Sequence, residues 1–291
     1  SEMFTTGSHD YILFFSDMGR VYRLKCYEIP EGSRQSKGIN IANLLPIGGD
    51  EKITAMVRIP EFAEDLYLNM ITKQGIIKRT LLTEYKNARR NGLIAINLDE
   101  GDELVFVMHT VDDCEILLAT ANGCAVRFTE ANVRPMGRSA RGVKGITLRG
   151  DDRVTGLAIV TEGESLITIT ENGYGKRTPF SDFREMKNRG GVGVQCHNIS
   201  EKTGKLCGIA SVCEDDDIMM ITNTGTMIRT PVSGVPTYSR TAGGVIMMRL
   251  GDEQKLVNFT KAKKAEEEEA IGDEQIEDVI ETVETAPQIE E

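Results

Sequence analysis

Clusters of arginine and lysine recur in this sequence at five matched positions, and their chemistry is that of phosphate binding. Each cluster is followed by glycine, and none contains an acidic residue. Guanidinium and ammonium groups form charge-assisted hydrogen bonds with phosphate oxygens, and duplex DNA presents one negative charge about every 1.7 Å along its axis. One such loop would be an ordinary polar loop, whereas five at a regular spacing predict nucleic-acid binding. The predicted DNA-binding residues are Arg34, Lys37, Arg89, Arg90, Arg138, Arg141, Lys144, Lys187, Arg189 and Arg240.

The glycines that follow these clusters are Gly38, Gly92, Gly142, Gly191 and Gly243. Because glycine has no Cβ, its backbone can approach a phosphate closely and donate its own N–H group. We therefore expect these glycines to add main-chain contacts with DNA.

A second repeated pattern alternates with the clusters and predicts β-hairpins. An apolar run ends in a polar turn with glycine, and an arginine follows four residues later, about every 50 residues. The Asn122-Gly123 pair is typical of tight hairpin turns, in which glycine supplies positive φ. The repeated arginine is either a buried structural residue bonded to backbone carbonyls or a further DNA contact, and the pattern leaves both roles open. These arginines are Arg23, Arg79, Arg127, Arg177 and Arg229.

The apolar residues around each hairpin predict about four strands in every unit. A third strand precedes the hairpins, as at 53–57 and 154–160, and alternating residues at 94–98 and 245–250 predict a fourth. Units of this kind cannot bury their apolar faces alone, so they must pack around a common axis. The sequence therefore predicts an all-β, propeller-like fold in which five blades are visible.

The charge of the chain divides it into two parts. The net charge is −11, but residues 265–291 carry 12 acidic and no basic side chains, so that residues 1–264 have a net charge of +1. Dense charge of one sign favours disorder. The predicted organisation is a β domain over residues 1–260 and a disordered acidic tail over residues 261–291.

The sequence contains no recognisable catalytic or metal-binding arrangement. His9, His109 and His197 have no metal-ligand spacing relative to one another or to cysteine. The stretch 173–178 is reminiscent of a phosphate loop but lacks the required frame of glycines and lysine. The six cysteines form no C-x-x-C pair, which favours reduced thiols in the cytoplasm. The chain also shows neither a secretory leader nor an apolar run of membrane-helix length, and we expect a non-catalytic domain without a metal or cofactor.

Several stretches of the repeats closely resemble the C-terminal domain of the bacterial DNA gyrase A subunit, and the resemblance extends from residue 9 to about residue 260. The stretches that carry it are His9–Phe15, Gly19–Lys25, Tyr27–Glu31, Asn43–Pro46, Glu171–Thr178 and Ile218–Thr222.

This resemblance implies a β-pinwheel of four-stranded Greek-key blades that exchange strands with their neighbours. It also implies a domain that binds duplex DNA around its outer rim and wraps it, so that gyrase can introduce negative supercoils. The expected partners are double-stranded DNA, the gyrase B subunit and the rest of the gyrase A subunit, in an A2B2 holoenzyme. ATP and magnesium act elsewhere in that ATP-dependent type II topoisomerase, and the isolated domain is expected to be monomeric.

Two departures from the family pattern affect these expectations. The family usually has six blades, and its Gln-Arg-Arg-Gly-Gly box is not found here; the nearest forms are 89–92 and 188–191. We therefore expect the first blade of the family to be missing from this chain. Two alternatives remain open: the C-terminal domain of a topoisomerase IV A-type subunit, and a propeller-type scaffold for protein interactions.

Overall fold

The computed structural model describes residues 6–33, 36–110, 113–161, 164–251 and 253–263. The predicted acidic tail thus lies almost wholly outside the described residues. Within these residues the regular structure is β-strands and short 3-10 helices. The strands are β1 (Tyr11–Ser16), β2 (Arg20–Lys25), β3 (Ile53–Ile59), β4 (Tyr67–Thr72), β5 (Ile76–Leu81), β6 (Leu93–Ile94), β7 (Leu104–Thr110), β8 (Glu115–Thr120), β9 (Cys124–Thr129), β10 (Val143–Lys144), β11 (Val154–Val160), β12 (Ser165–Thr170), β13 (Tyr174–Pro179), β14 (Val194–Gln195), β15 (Leu206–Val212), β16 (Asp216–Thr222), β17 (Met227–Pro231), β18 (Val245–Ile246) and β19 (Leu256–Lys263). The 3-10 helices are Cys26–Glu28, Ile41–Asn43, Leu82–Tyr85, Glu130–Asn132, Phe180–Asp182 and Val232–Gly234.

The strands form five antiparallel sheets, which we number as blades 1 to 5 in the order of their hairpins. Their strand orders are β3-β1-β2-β6, β10-β5-β4-β7, β11-β8-β9-β14, β15-β12-β13-β18 and β17-β16-β19. This arrangement confirms the predicted all-β fold with five propeller-like blades. The strand that follows each hairpin pairs with the hairpin's first strand, as β3 pairs with β1.

Each of the first four blades receives its fourth strand from the unit that follows it in the chain. In blade 1, for example, β6 pairs with β2 although it follows the hairpin of blade 2. The predicted long strands at 94–98 and 245–250 are wrong, because β6 and β18 comprise two residues each. The chain leaves the sheet at Ala95, since the amides of Ala95 and Ile96 donate instead to the carbonyl of Gly19 in the neighbouring turn.

The hairpin turns depend on glycine, as the sequence predicts. Gly75, Gly123 and Gly225 have φ values of +86°, +76° and +83°, a region that β-branched residues fit poorly. At Gly123 a Cβ would also lie 2.6 Å from the carbonyl oxygen of His197. The turn of one blade therefore packs directly against the backbone supplied by the next.

The core lies mainly between the blades. Phe15 of blade 1 and Met70 of blade 2 are fully buried in one cluster, and Leu117 of blade 3 shares another with Leu166 of blade 4. The sheets that contain β1 and β8 are thus covered on both faces, which explains the continuous apolar runs of these two strands. The strands that follow the hairpins contact one another from each blade to the next, in the order β3, β7, β11, β15 and β19. We call the strands that blades 1 to 4 receive from the following unit the exchanged strands; they are β6, β10, β14 and β18, and they lie at the opposite edges of their sheets.

Candidate nucleic-acid interface

Four of the five basic clusters form loops that lead from one blade to the strand exchanged with the preceding blade, and the first cluster leads instead to the 3-10 helix Ile41–Asn43. We call these basic loops 1 to 5, over residues 36–38, 89–92, 138–144, 187–193 and 239–244. Arg34 lies outside the described residues, whereas Lys37 is exposed. Because loops 2 to 5 run into the exchanged strands β6, β10, β14 and β18, the fold gives the four loops the same local setting.

The glycines expected at the ends of loops 4 and 5 are shifted. The residues with positive φ that precede the exchanged strands are Gly193 (+84°) and Gly244 (+71°), not Gly191 and Gly243. A Cβ on Gly193 would overlap the carbonyl oxygen of Ala125 in the preceding blade. Gly193 is therefore required for packing between blades, and the expected contact between loop glycines and phosphate stays a prediction.

Arginines of three loops make equivalent bonds to the preceding exchanged strand. Arg138 Nη1 donates to the carbonyl of Ile94 at 2.7 Å, and Arg189 Nη1 donates to that of Lys144 at 2.7 Å. Arg240 Nη1 donates to the carbonyl of Gln195 at 3.0 Å. Each acceptor is the last residue of a two-residue strand. Because a guanidinium has five N–H donors, each arginine can tie its loop to the preceding exchanged strand and still present donors to a phosphate.

The remaining cations of the loops are exposed. Arg89 and Lys187 form no side-chain hydrogen bond or ion pair with any other residue that the structure describes, and the Lys144 side chain is likewise exposed. Arg90 donates through Nε to the carbonyl of Leu44 at 2.7 Å. Arg141 is paired with the Asp99 carboxylate, so part of its charge is already neutralised.

Basic loop 2 borders a cleft of about 290 Å³ at the end of blade 1. Arg89 and Arg90 line it together with Arg23, Lys25 and the 3-10 helix at residues 26–28. The guanidinium of Arg23 lies 4.7 Å from the ring centre of Tyr11, and Lys25 Nζ lies 5.2 Å from the same centre. Four cations and one carboxylate, that of Glu28, therefore line one open site, whose net positive charge can attract an anion. Lys25 was not among the predicted residues because nothing in its strand pattern distinguishes it.

Two of the repeated arginines, Arg127 and Arg177, enter the contacts between blades. Arg127 Nη1 donates to the carbonyls of Phe180 and Phe183 in blade 4 at 2.7 and 3.0 Å. Its Nε donates to Glu115 at 2.9 Å. Arg177 Nε donates in the same way to the carbonyl of Val235 in blade 5 at 2.6 Å. The sequence left open whether these arginines are structural residues or DNA contacts. Bonds to backbone carbonyls of the next blade are those of a structural residue.

The other three repeated arginines vary this arrangement. Arg79 is buried, lies 3.3 Å from a carboxylate oxygen of Glu130, and stacks 3.7 Å from the ring centre of Tyr67. Arg23 donates to the carbonyl of Lys86 in the segment before loop 2. Arg229 Nε donates to Asp217 at 2.6 Å. All five are therefore engaged by groups within the domain.

Three buried titratable groups lie beneath the loops, and two of them, Lys78 and Lys176, were not predicted from the sequence. Lys78 and Lys176 are fully buried, and each immediately precedes a repeated arginine. His197 is also buried; its Nε2 lies 3.2 Å from the carbonyl of Gly243, so Nε2 carries the proton, and Nδ1 accepts from Thr168 at 2.9 Å. Burial lowers the pKa of His197 to about 4. The recurrence of lysine before the repeated arginine was the available signal.

The described residues offer no cluster of three or more histidine, cysteine or carboxylate side chains that could hold a metal ion. Across the same residues, no helix combines the length and the apolar character needed to cross a membrane.

The family described as "DNA gyrase C-terminal domain, beta-propeller" matches five segments, residues 10–60, 67–110, 115–161, 164–213 and 216–263. These segments correspond to the five blades. The chain belongs to this family. The DNA gyrase A subunit of Staphylococcus aureus is 43% identical over 278 residues, which cover 94% of this chain and 31% of that protein. The chain thus spans about a third of the length of the curated relatives it matches.

Solved structures give the same result for the fold. The structure of a DNA gyrase A C-terminal domain matches with a TM-score of 0.77 and 28% identity over 88% of this chain and 83% of that one. The C-terminal domain of a DNA topoisomerase IV matches with a TM-score of 0.81 and 27% identity over 88% of this chain and 80% of that one. The β-pinwheel is therefore shared with both kinds of topoisomerase domain.

Proposed function

We propose that this domain binds duplex DNA along a basic rim and wraps it, as the non-catalytic part of a DNA gyrase. The observation that carries the proposal is the equivalent placement of Arg138, Arg189 and Arg240, each bonded to the preceding exchanged strand. The exchanged strands form the edges of the sheets opposite the strands that contact one another in sequence. Successive basic loops therefore follow one outer edge, and a duplex that binds them in turn must bend.

The chemistry favours phosphate contacts rather than base recognition. The candidate groups are guanidinium and ammonium groups on loops, and the described structure has no exposed helix of a length that could enter a major groove. Phosphate contacts position a duplex but carry no sequence information. Binding should accordingly be independent of sequence and strongly dependent on salt.

The wider role follows from the relatives. Because the relative named above is a DNA gyrase A subunit, we propose that the domain is part of such a subunit, which pairs with a gyrase B subunit in an A2B2 holoenzyme. ATP and magnesium would be used by other parts of that enzyme, where they support negative supercoiling. The proposed location is the cytoplasm, and the isolated domain is proposed to be a monomer.

Duplex binding measured by fluorescence anisotropy at several salt concentrations tests the proposed binding. The logarithm of the association constant should fall linearly with the logarithm of the salt concentration. In Arg89→Gln/Arg90→Gln the slope should become shallower by about 0.9 for each phosphate that is no longer bound. A domain that binds no duplex at low salt, or whose slope is unchanged by the double substitution, would contradict the proposal.

The similarity to topoisomerase IV supports one alternative, a wrapping domain of that enzyme. The 43% identity to the gyrase A subunit over 94% of the chain favours gyrase. If the domain wraps duplex DNA always with the same handedness, the gyrase role is supported. If it binds duplex DNA without wrapping it, the topoisomerase IV role is favoured. A scaffold for other proteins would show no linear dependence of duplex affinity on salt.

A further inference from the structure

Two lysines lie buried directly beneath basic loops. Lys78 in β5 and Lys176 in β13 occupy equivalent positions, one residue before Arg79 and Arg177, and both side chains are fully buried. An unpaired buried ammonium is strongly unfavourable, so such a group must be held by good acceptors. The acceptors identify what each lysine does.

Both ammonium groups bind backbone carbonyls of the loop that comes from the next unit of the chain. Lys78 Nζ donates to the carbonyl of Arg138 in loop 3, and to that of Ala95 at 2.6 Å. Lys176 Nζ donates to the carbonyls of Ser239 and Arg240 in loop 5, at 2.5 and 2.7 Å. Each lysine thus holds the backbone at an arginine whose side chain is a predicted DNA contact.

The corresponding position of blade 3 provides an internal comparison. It is occupied by Val126, which is buried and has no hydrogen-bonding side chain. Loop 4, which crosses to blade 3, is instead held by the amide of Gly190, which donates to the carbonyl of Gly145 at 2.8 Å. A blade of this fold therefore does not need the buried lysine, and its presence in blades 2 and 4 calls for another explanation.

The energetic cost of these lysines also argues for a specific role. Burial, with the nearby Arg138 guanidinium as a smaller cause, lowers the pKa of Lys78 to about 7. Burial lowers the pKa of Lys176 to about 8. Apolar residues in place of such groups often leave stability unchanged or increase it.

We propose that Lys78 and Lys176 are positioning residues that fix basic loops 3 and 5 in the geometry that binds phosphates. This inference rests on the proposed DNA-binding function and extends it. An ammonium with three donors can hold two carbonyl oxygens at once, so the loop backbone at Arg138 and at Arg240 is ordered before DNA arrives. A binding site whose backbone is already ordered loses less conformational entropy on binding.

The test compares Lys78→Met and Lys176→Met with Lys73→Met in the full chain. Methionine has nearly the same length as lysine but cannot donate, and Lys73 is a more exposed lysine of blade 2 that pairs with Glu103. Amide hydrogen exchange reports on the loops through Ala140 and Ala242, whose amides donate to Gly137 and Ser239. Exchange at Ala140 should become about tenfold faster in Lys78→Met, and exchange at Ala242 should respond in the same way to Lys176→Met. Lys73→Met should change neither.

Duplex affinity provides the second measurement, since a merely structural lysine would not act through a particular arginine. Lys78→Met should weaken binding several-fold, and adding Lys78→Met to Arg138→Gln should weaken it little beyond Arg138→Gln alone. Unchanged exchange at Ala140 and Ala242, or fully additive losses of affinity, would overturn the proposal. If Lys78→Met does not fold, Lys176→Met with Arg240→Gln carries the same test in another blade.

The two proposals can fail separately. If the unaltered domain binds no duplex, the proposed function is wrong, and the binding role of the lysines falls with it, whatever the loops do. If the unaltered domain binds but the lysine variants bind equally well at every salt concentration, only the inference about Lys78 and Lys176 is overturned.

Discussion

The arginines between the blades and the cations of the basic loops are produced by the same repeat, yet their surroundings differ. Arg127 is mostly buried and donates to two carbonyls of the next blade, whereas Arg89 and Lys187 are exposed and bind no other described side chain or carbonyl. A cation whose donors are used inside the protein stabilises the fold, and one whose donors face water can bind a ligand. The difference separates Arg127 from Arg89 and Lys187, whereas Arg138, Arg189 and Arg240 use one donor inside the protein and have others left for a phosphate.

The largest expected effect concerns the arginines between blades. Arg127→Ala should lower the free energy of unfolding by about 3 kcal/mol, because it leaves Glu115 and two carbonyls without a partner. Urea unfolding of the isolated domain measures this change. The charge-matched substitution Arg141→Ala, at an exposed ion pair, should change stability by less than about 1 kcal/mol. Equal losses of stability in the two variants would contradict the distinction between arginines that lie between blades and cations that lie on the basic loops.

Lys78 combines features of both sets, since it is buried like Arg127 but binds the backbone of a basic loop. Its pKa is about 7 in the folded chain and 10.5 ordinarily, so the unfolded chain binds the proton more tightly. Between pH 7 and pH 9, stability should therefore rise with pH, by about 2 kcal/mol from this residue. Besides burial, which is the largest cause, the charge of Arg138 lowers the pKa of Lys78 and that of Glu84 raises it. The rise should be correspondingly smaller in Lys78→Met, as measured by urea unfolding at both pH values; equal slopes would contradict this.

Removal of exposed loop charge should act on binding alone. Arg89→Gln combined with Lys187→Gln should raise the Kd for duplex DNA about tenfold at low salt, an effect of about 1.4 kcal/mol. The free energy of unfolding should change by less than about 0.5 kcal/mol, because neither side chain has a partner among the described residues. Anisotropy and urea unfolding on the same preparations give both values. A large loss of stability would show that Arg89 and Lys187 have a structural role like that of Arg127.

The smallest effect distinguishes two neighbouring glycines of loop 4. Gly193→Ala should destabilise the domain by about 1 kcal/mol or more, because φ is +84° and the new Cβ would meet the Ala125 carbonyl. Gly191→Ala should be nearly neutral, since its Cβ would lie 3.3 Å from the flexible end of Met186 and at an ordinary contact distance of 3.9 Å from the amide nitrogen of Gly193. Thermal unfolding compares the two variants. The reverse order would show that Gly191 occupies the position that the sequence pattern first indicates.

The parts of the fold that depend on local sequence could be predicted, and those that depend on distant contacts could not. The Asn122-Gly123 turn and its apolar flanks define a hairpin without any reference to the rest of the chain. The pairing of β6 with β2 could not be read from the pattern, because both strands are compatible with several partners. The length of β6 was overestimated because Ala95 and Ile96 are buried by the neighbouring turn rather than by a sheet.

The candidate site shows the same division. Exposed cations such as Arg89 were predicted from composition and spacing, which are local properties. The role of Arg127 stayed open because its acceptors, Phe180 and Phe183, lie more than one blade away in sequence. Lys78 was overlooked because a lysine in a strand is usually exposed, and only the fold brings the carbonyl of Arg138 to its ammonium.

Whether the domain wraps DNA around its basic loops is best measured by the topology of a closed circular plasmid. The domain is bound to a relaxed plasmid, a topoisomerase relaxes the complex, and the linking number is read after the protein is removed. The linking number should shift by an amount that grows with the amount of domain bound. The shift should be lost in a variant with Arg89, Arg90, Lys187, Arg189 and Arg240 all changed to Gln. An unchanged linking number at saturating domain, or a shift that survives in that variant, would contradict this prediction.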